Sequence, residues 1–220
     1  MIAGYFTDIK EITDPSIIHR QLSGLPAPLQ SRILSYSPTQ QLSRLCGKLL
    51  LQQLLLDYCP GNKFTLADLT YDQYAKPYVD ASIDFSIAHS GDMVIVILTS
   101  GGQVGVDVEQ VKNTDISCYE DYFTTTEWAN IHSSAIPLQA FYTAWVRKEA
   151  VLKATGKGIF MPMKEIDSYS DTISRDGISY FLKDIYLAAD YVACIASDKK
   201  DMEIKISKVG WSELLDVPLL

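Results

Sequence analysis

Positive charge is scarce in this chain: 19 Lys and Arg stand against 27 Asp and Glu, a formal charge of −8. General binding to nucleic acid or to an anionic membrane rests on an excess of Lys and Arg, so neither partner is expected. Any polyanionic ligand has to be met by a local basic patch. Cysteine is sparse as well. Cys46, Cys59, Cys118 and Cys194 are widely scattered, with no Cys-x-x-Cys and no Cys/His cluster, which argues against a zinc site or a redox pair. Long apolar runs are missing, the longest being Met93 to Leu98, far short of the ~20 residues that span a bilayer. Met1 to Asp8 has neither the basic start nor the apolar stretch of an export signal. Scattered thiols without such a signal predict a reducing, cytoplasmic setting. No Gly-x-x-x-x-Gly-Lys-[Ser/Thr], Gly-x-Ser-x-Gly or His-Glu-x-x-His occurs, which removes P-loop, common hydrolase and zincin chemistry.

What is present describes a mixed α/β protein. Of the 220 residues 47% are hydrophobic and 21% charged, enough for one large domain or two small ones. Ile2 to Ile9 has the aromatic and β-branched content of a strand. From Thr39 to Tyr58, Leu42, Leu45, Leu49, Leu50, Leu54 and Leu55 recur at three- and four-residue steps, a helical pattern that starts near Ser37-Pro38 and stops at Cys59-Pro60-Gly61. Its polar side carries Arg44 and Lys48, an i,i+4 pair of like charge that a nearby anion would relieve; two solvated cations read the same way. From Ser82 the period changes to two, with Ile83, Phe85 and Ile87 alternating with Ser82, Asp84 and Ser86. A second strand, Met93 to Thr99, follows Ser90-Gly91-Asp92, and a third follows Gly101-Gly102. Helical spacing returns from Pro137 to Thr155, with Gly156 and Gly158 as a C-terminal stop. Strands are expected around 180–186, 191–196 and 203–208, and a short acidic helix after Trp211.

Three segments carry chemistry. On the strand Gln103 to Gln110, Val104, Val106 and Val108 are expected to face the core, leaving Gly105, Asp107 and Glu109 on the other face. Carboxylates two residues apart on a strand lie ~6.6–7 Å apart at the backbone. At an effective dielectric of ~20 they repel by roughly 2–3 kcal/mol, a penalty that a divalent cation removes. Gly105 beside them leaves room for a ligand to approach the backbone. An isolated Asp-x-Glu also reads as a solvated strand face. On the second helix, Trp145, Glu149 and Lys153 follow i, i+4, i+8 and share one face, with Lys148 and Lys157 adding positive charge. A helix giving Glu149 and Lys153 opposite a strand giving Asp107 and Glu109 makes a candidate Mg2+–phosphate site. His89, before Ser90-Gly91 at a strand end, can present its ring to phosphate or serve as a turn residue. His19 and His132 have no comparable setting.

Taken in order, these segments resemble the Sfp-type 4'-phosphopantetheinyl transferases. The resemblance runs through Tyr74-Ala-Lys-Pro77, Phe85-Ser-Ile-Ala-His-Ser-Gly91, Gly105-Val-Asp-Val-Glu109 and Phe123-Thr-Thr-Thr-Glu127, and ends at Trp145-Val-Arg-Lys-Glu-Ala-Val-Leu-Lys-Ala-Thr-Gly-Lys-Gly158. It implies an α/β (α+β) pseudodimer of two similar halves, each a small sheet packed with a long helix: residues 1–102, binding coenzyme A, and 103–220, holding metal and catalytic residues. It implies a monomer that moves the 4'-phosphopantetheine arm of coenzyme A to a serine of an apo acyl or peptidyl carrier protein in fatty-acid, polyketide or nonribosomal peptide synthesis, releasing 3',5'-ADP. By the resemblance Asp107, Glu109 and Glu149 hold Mg2+; Glu149, Lys153 and Asp107 are catalytic; and Arg44, Lys76, Pro77, His89, Lys148 and Lys153 bind coenzyme A. Arg32 and Lys48 complete a thin basic cluster. Ala88 stands where the family often has serine. The carrier surface is expected at 115–123, with Cys118, Tyr119, Tyr122 and Phe123. A metal-dependent phosphodiesterase or nuclease would also join strand carboxylates to a lysine, but its [Asp/Glu]-x-Lys is missed by one residue at Glu109-Gln-Val-Lys112. A non-catalytic coenzyme A or carrier-protein binding module would not need the acidic cluster.

Overall fold

The β-branched and aromatic residues Ile2, Tyr5, Phe6 and Thr7 at the start of the chain lie in β1 (Ile2–Asp8). The computed structural model describes residues 1–12, 15–59, 61, 64–158 and 161–218. Three helices follow, α1 (Pro15–Ser23), α2 (Ala27–Leu34) and α3 (Pro38–Tyr58). The long α3 begins as its sequence suggests: Ser37 caps it, the Gln40 side chain returns to the Ser37 N–H, and Pro38 occupies the first turn. Its stop falls at Cys59, and the expected Pro60 lies outside the described residues. After a two-stranded ribbon, β2 (Thr70–Tyr71) and β3 (Pro77–Tyr78), come the long strands β4 (Ile83–Ser90), β5 (Met93–Ser100) and β6 (Val104–Gln110). Helices α4 (Thr125–Ser133) and α5 (Pro137–Thr155) lead to β7 (Thr172–Arg175), β8 (Ile178–Ile185), β9 (Tyr191–Ser197) and β10 (Ile204–Lys208), and α6 (Trp211–Leu215) closes the fold.

Two four-stranded sheets result, ordered β10-β1-β5-β4 and β6-β9-β8-β7. The first packs on α3 and the second on α5. β5 is an unbroken apolar run because both of its faces are covered: Val94, Val96 and Leu98 join the core under α3, and Met93, Ile95 and Ile97 meet Val104, Val106 and Val108 of β6. The layers therefore run α3, first sheet, second sheet, α5. In each sheet the opening strand pairs antiparallel with the last strand of its own hairpin, β1 with β5 and β6 with β9, so the orders β1-β5-β4 and β6-β9-β8 repeat one topology. The expected division at 102/103 does not follow the sheets to the end. β10 leaves the second sheet and adds to β1 in parallel, with Ile204 opposite Ile2. Leu214 of α6 and Val217 beyond it are buried in the core of the first half.

Candidate functional site

The closest approach of helix to strand builds the site. A Cβ on Gly105 would lie 2.1 Å from the Ala150 carbonyl oxygen and 2.3 Å from the Ala154 nitrogen, so only glycine lets α5 lie so close to β6. This corrects the expectation that Gly105 leaves space for a ligand; the space is filled by the helix. The consequence is positional, because α5 residues one turn to either side are brought over Asp107. Lys153 Nζ donates to Asp107 Oδ1 at 2.7 Å, with the carboxylate side chain 8% exposed and the amine 31%. Burial pushes the Asp107 carboxyl up, opposed by Lys153. Glu109 and Glu149 are also raised, each chiefly by burial and then, with the Ser90 hydrogen bond pulling Glu109 down, by the Asp107 charge. Glu109 feels Glu149 as well. The three carboxylates and Lys153 are thus one electrostatic unit, assembled from β6 and α5.

A hard divalent cation takes carboxylate oxygens. Asp107 Oδ2 is buried and has no hydrogen-bond partner among the described residues, an unpaired acceptor of the kind a cation satisfies. Asp107, Glu109 and Glu149 therefore fit such an ion in donor chemistry. Among the described residues no three such side chains are drawn together as a ligand cluster, and the amine of Lys153 is the positive charge that Asp107 faces.

Beside this unit lies a cavity of about 200 Å³ between α2, α3 and β4, whose wall carries Arg32, Arg44, Lys48, His89 and Pro77. Arg44 stacks on the Tyr36 ring at 3.6 Å and Arg32 on the Tyr71 ring at 4.0 Å, which fixes both guanidinium groups without neutralising them. Among the described residues Arg32, Arg44 and Lys48 make no ion pair, and Arg44 Nε is buried without a partner. Burial and these two arginines pull Lys48 down to about 8. His89 lines this cavity and is lowered by burial, then by Arg44 and by Lys153. A second cavity of about 230 Å³ continues along β4 past Lys76, Pro77, Lys153, Gly156 and Gly158. Lys76 is held there by Asp84 at 2.8 Å, its stem lying against Gly156, whose φ of 72° also ends α5. On the other side of Glu149 a wider cleft of about 670 Å³ is lined by Tyr122, Trp145, Met161 and Lys164.

Lys148 does not join this site. It is fully buried, with Nζ bonded to Glu127, to the Met163 carbonyl at 3.0 Å and to the Ile166 carbonyl at 2.5 Å, so its three protons are used inside the second half. Its helical position, one residue before Glu149, turns it away from the face that Glu149 and Lys153 share. The expectation that it contacts coenzyme A phosphates is overturned. Phe123 belongs to the core, 2% exposed among Trp128, Phe141 and Trp145, whereas Tyr122 is 44% exposed. Of the expected carrier surface, Tyr122 and Cys118 are open and Phe123 is not. Sequence reading missed Tyr36 and Tyr71, which lie on different elements from the arginines they hold and share no spacing with them. It also missed that Ser90 Oγ donates to Glu109 Oε2 at 2.5 Å.

A family model described as the 4'-phosphopantetheinyl transferase superfamily matches residues 103–197. A 4'-phosphopantetheinyl transferase named gsp from Aneurinibacillus migulanus is 29% identical over 168 residues, 74% of this chain and 69% of that protein. From Bacillus subtilis, the transferase named ffp is 27% identical over 187 residues, 78% and 80% of the two chains. The transferase Sfp of strain 168 is 29% identical over 157 residues, 65% and 68%.

Proposed function

We propose, from the match of residues 103–197 to the 4'-phosphopantetheinyl transferase superfamily model and from the likeness to the curated transferases, that this chain transfers the 4'-phosphopantetheine group of coenzyme A to a serine of an apo acyl or peptidyl carrier protein, with Mg2+, releasing 3',5'-ADP. The reading rests on one continuity. His89 on β4 lines a cavity walled by three cations that make no ion pair among the described residues, and it feels the charge of Lys153 in the Asp107–Lys153 unit, so a ligand with a phosphate at one end and a pyrophosphate further along has a cation for each. In the transfer the serine oxygen bonds to the β-phosphorus of coenzyme A, the bridging P–O bond breaks, and the leaving oxygen departs with 3',5'-ADP. Such chemistry depends on positioning and on neutralising phosphate charge. Bound at Asp107, Glu109 and Glu149, Mg2+ would neutralise the pyrophosphate oxygens. Lys153 donates to the leaving phosphate, and Lys76 supplies a second ammonium in the same cavity. Glu149, raised by burial and then by Asp107, is the carboxylate that would take the serine proton, and it borders the wide cleft beside Tyr122 and Trp145. That cleft and the exposed face of 117–122 would receive the carrier protein.

The protein would act as a cytoplasmic monomer, with the coenzyme A site in residues 1–102 and the metal and catalytic residues in the second half. Among the described residues no helix is long and apolar enough to cross a membrane. Intact-protein mass spectrometry of several apo carrier proteins incubated with this protein, coenzyme A and Mg2+ tests the proposal. One phosphopantetheine mass should be gained, and the gain lost with EDTA or with Asp107→Ala. No gain on any carrier together with no coenzyme A binding would overturn the reading.

A further inference from the structure

β4 and β6 are the facing edges of the two sheets, and they are joined by side chains rather than by a backbone ladder. Asp84 Oδ2 accepts the Val104 N–H at 2.8 Å, Ser86 Oγ accepts the Val106 N–H at 3.1 Å, and Ser90 Oγ accepts the Gln110 N–H at 3.1 Å. The period of two on each strand puts these three residues in step with the backbone donors of β6. At the remaining step Ala88 offers no side-chain acceptor. The seam satisfies edge N–H groups that would otherwise be buried between the sheets.

Ser90 does more than close the seam. While its oxygen takes the Gln110 N–H, its hydroxyl proton goes to Glu109 Oε2 at 2.5 Å. One side chain therefore fixes both the backbone after Glu109 and the carboxylate of Glu109 itself. Ser86, four residues earlier, makes the same backbone bond and, among the described residues, no hydrogen bond to a carboxylate. Ser90 also follows His89 directly, so the strand end that places an imidazole in the cationic cavity also holds a carboxylate of the acidic unit. Without the hydroxyl, Glu109 is half-buried beside Asp107 and Glu149, and like-charge repulsion favours rotamers that carry it away from them. Partners that hydrogen-bond a ligating carboxylate orient it, and their loss weakens metal binding by roughly 10- to 100-fold.

We propose that Ser90 is a positioning residue that holds Glu109 in place for a divalent cation, so that the junction between the sheets sets the geometry of the metal site. This rests on the proposed Mg2+ role of Asp107, Glu109 and Glu149. The test is Mn2+ binding to the whole protein, without coenzyme A or carrier, by isothermal titration and by electron paramagnetic resonance of free Mn2+, with thermal unfolding alongside. Ser90→Ala is expected to weaken Mn2+ binding about tenfold or more, and Ser90→Thr to restore it to within about threefold by keeping the hydroxyl. Ser86→Ala is expected to lower the unfolding midpoint and leave the Mn2+ affinity unchanged. In a Glu109→Gln background Ser90→Ala should add no further loss, since the two act through one contact. Should Ser90→Ala fail to fold, Ser90→Cys serves in its place, because a thiol is a weak donor. Wild-type Mn2+ affinity in the Ser90 variant, or an additive loss in the double variant, would overturn the role of Ser90 and leave the metal site standing. A wild-type protein that binds no Mn2+ would overturn the metal site itself, and the role of Ser90 with it.

Discussion

Lys48 shows what a single residue of the cavity wall must do. Burial and the charges of Arg32 and Arg44 bring its amine down from 10.5 to about 8. Its pKa is lower in the folded chain than in the unfolded one, so between about 8 and 10.5 the unfolded chain binds the extra proton. This group alone therefore makes the ligand-free protein more stable as pH rises through that window, and its full penalty applies below it. An anion in the cavity reverses the balance by favouring the ammonium. Affinity for coenzyme A or 3',5'-ADP is accordingly expected to weaken as pH climbs through about 8. In Lys48→Arg the charge is retained and the affinity should be flat over the same range. Titration calorimetry across that range checks it. Identical pH profiles for the two proteins would mean that Lys48 does not meet the ligand's charge. The sequence displays Arg44 and Lys48 one helical turn apart, and that much of the cavity was legible. Arg32 was harder to place, because α2 is only eight residues long and its buried residues are just Leu29 and Ile33. The rings that aim the arginines come from elsewhere in the chain.

At the scale of elements, the contact of β6 with α5 is the hinge on which function turns. A Gly105→Ala side chain would meet helix backbone at 2.1 and 2.3 Å, and backbone cannot rotate aside as a side chain can. Overpacking of this kind costs about 1–3 kcal/mol. Here the helix has to move off the strand, and Lys153 leaves Asp107 with it. Gly105→Ala is therefore expected to lose transfer far more than it loses thermal stability, as a drop in kcat measured beside the unfolding midpoint. Near-normal kcat would show that the close approach serves packing alone. The alternation Val104, Val106, Val108 made the facing of Asp107 and Glu109 readable, and the i, i+4, i+8 spacing did the same for Trp145, Glu149 and Lys153. The role of Gly105 was not readable, since a missing side chain looks the same whether a ligand or a helix takes the space. Lys148 misled for a related reason. Its charge is visible in sequence, but its partner Glu127 stands on α4, where a capping box with Thr124 fixes the carboxylate at the helix start. The Thr-x-x-Glu spacing announces that helix, not the lysine that meets it.

For the whole molecule, the repeated topology explains why the site lies where it does. Two sheet-and-helix units meet along β4 and β6, and the cationic cavity of one unit opens beside the carboxylates of the other. Strand patterns identified the long strands individually, but pairing is set by contacts distant in sequence, and β10 illustrates it. Its residues alternate like any edge strand, yet it crosses back to pair in parallel with β1, two hundred residues away in the chain. The crossing is tied by the Val209 N–H to the Phe6 carbonyl at 2.9 Å and by Gln21 Nε2 to the Leu215 carbonyl at 3.1 Å. Val209, Leu214 and Val217 are buried by it. At about 1.5–3 kcal/mol for each such side chain, the tail contributes an amount comparable to the whole stability of an ordinary domain. A chain ending at Met202 is thus expected to lose the first sheet, and with it the cavity of Arg32, Arg44 and Lys48, even though every residue of that cavity remains. Coenzyme A binding should vanish, together with the cooperative unfolding of the first half. A peptide of residues 203–218 added in trans should recover part of both, because it restores the strand that β1 lacks. A truncated chain that unfolds within about 2 °C of the full one, less than the shift from 1 kcal/mol in a chain of this size, would show that the two halves stand apart as the boundary at 102/103 suggests.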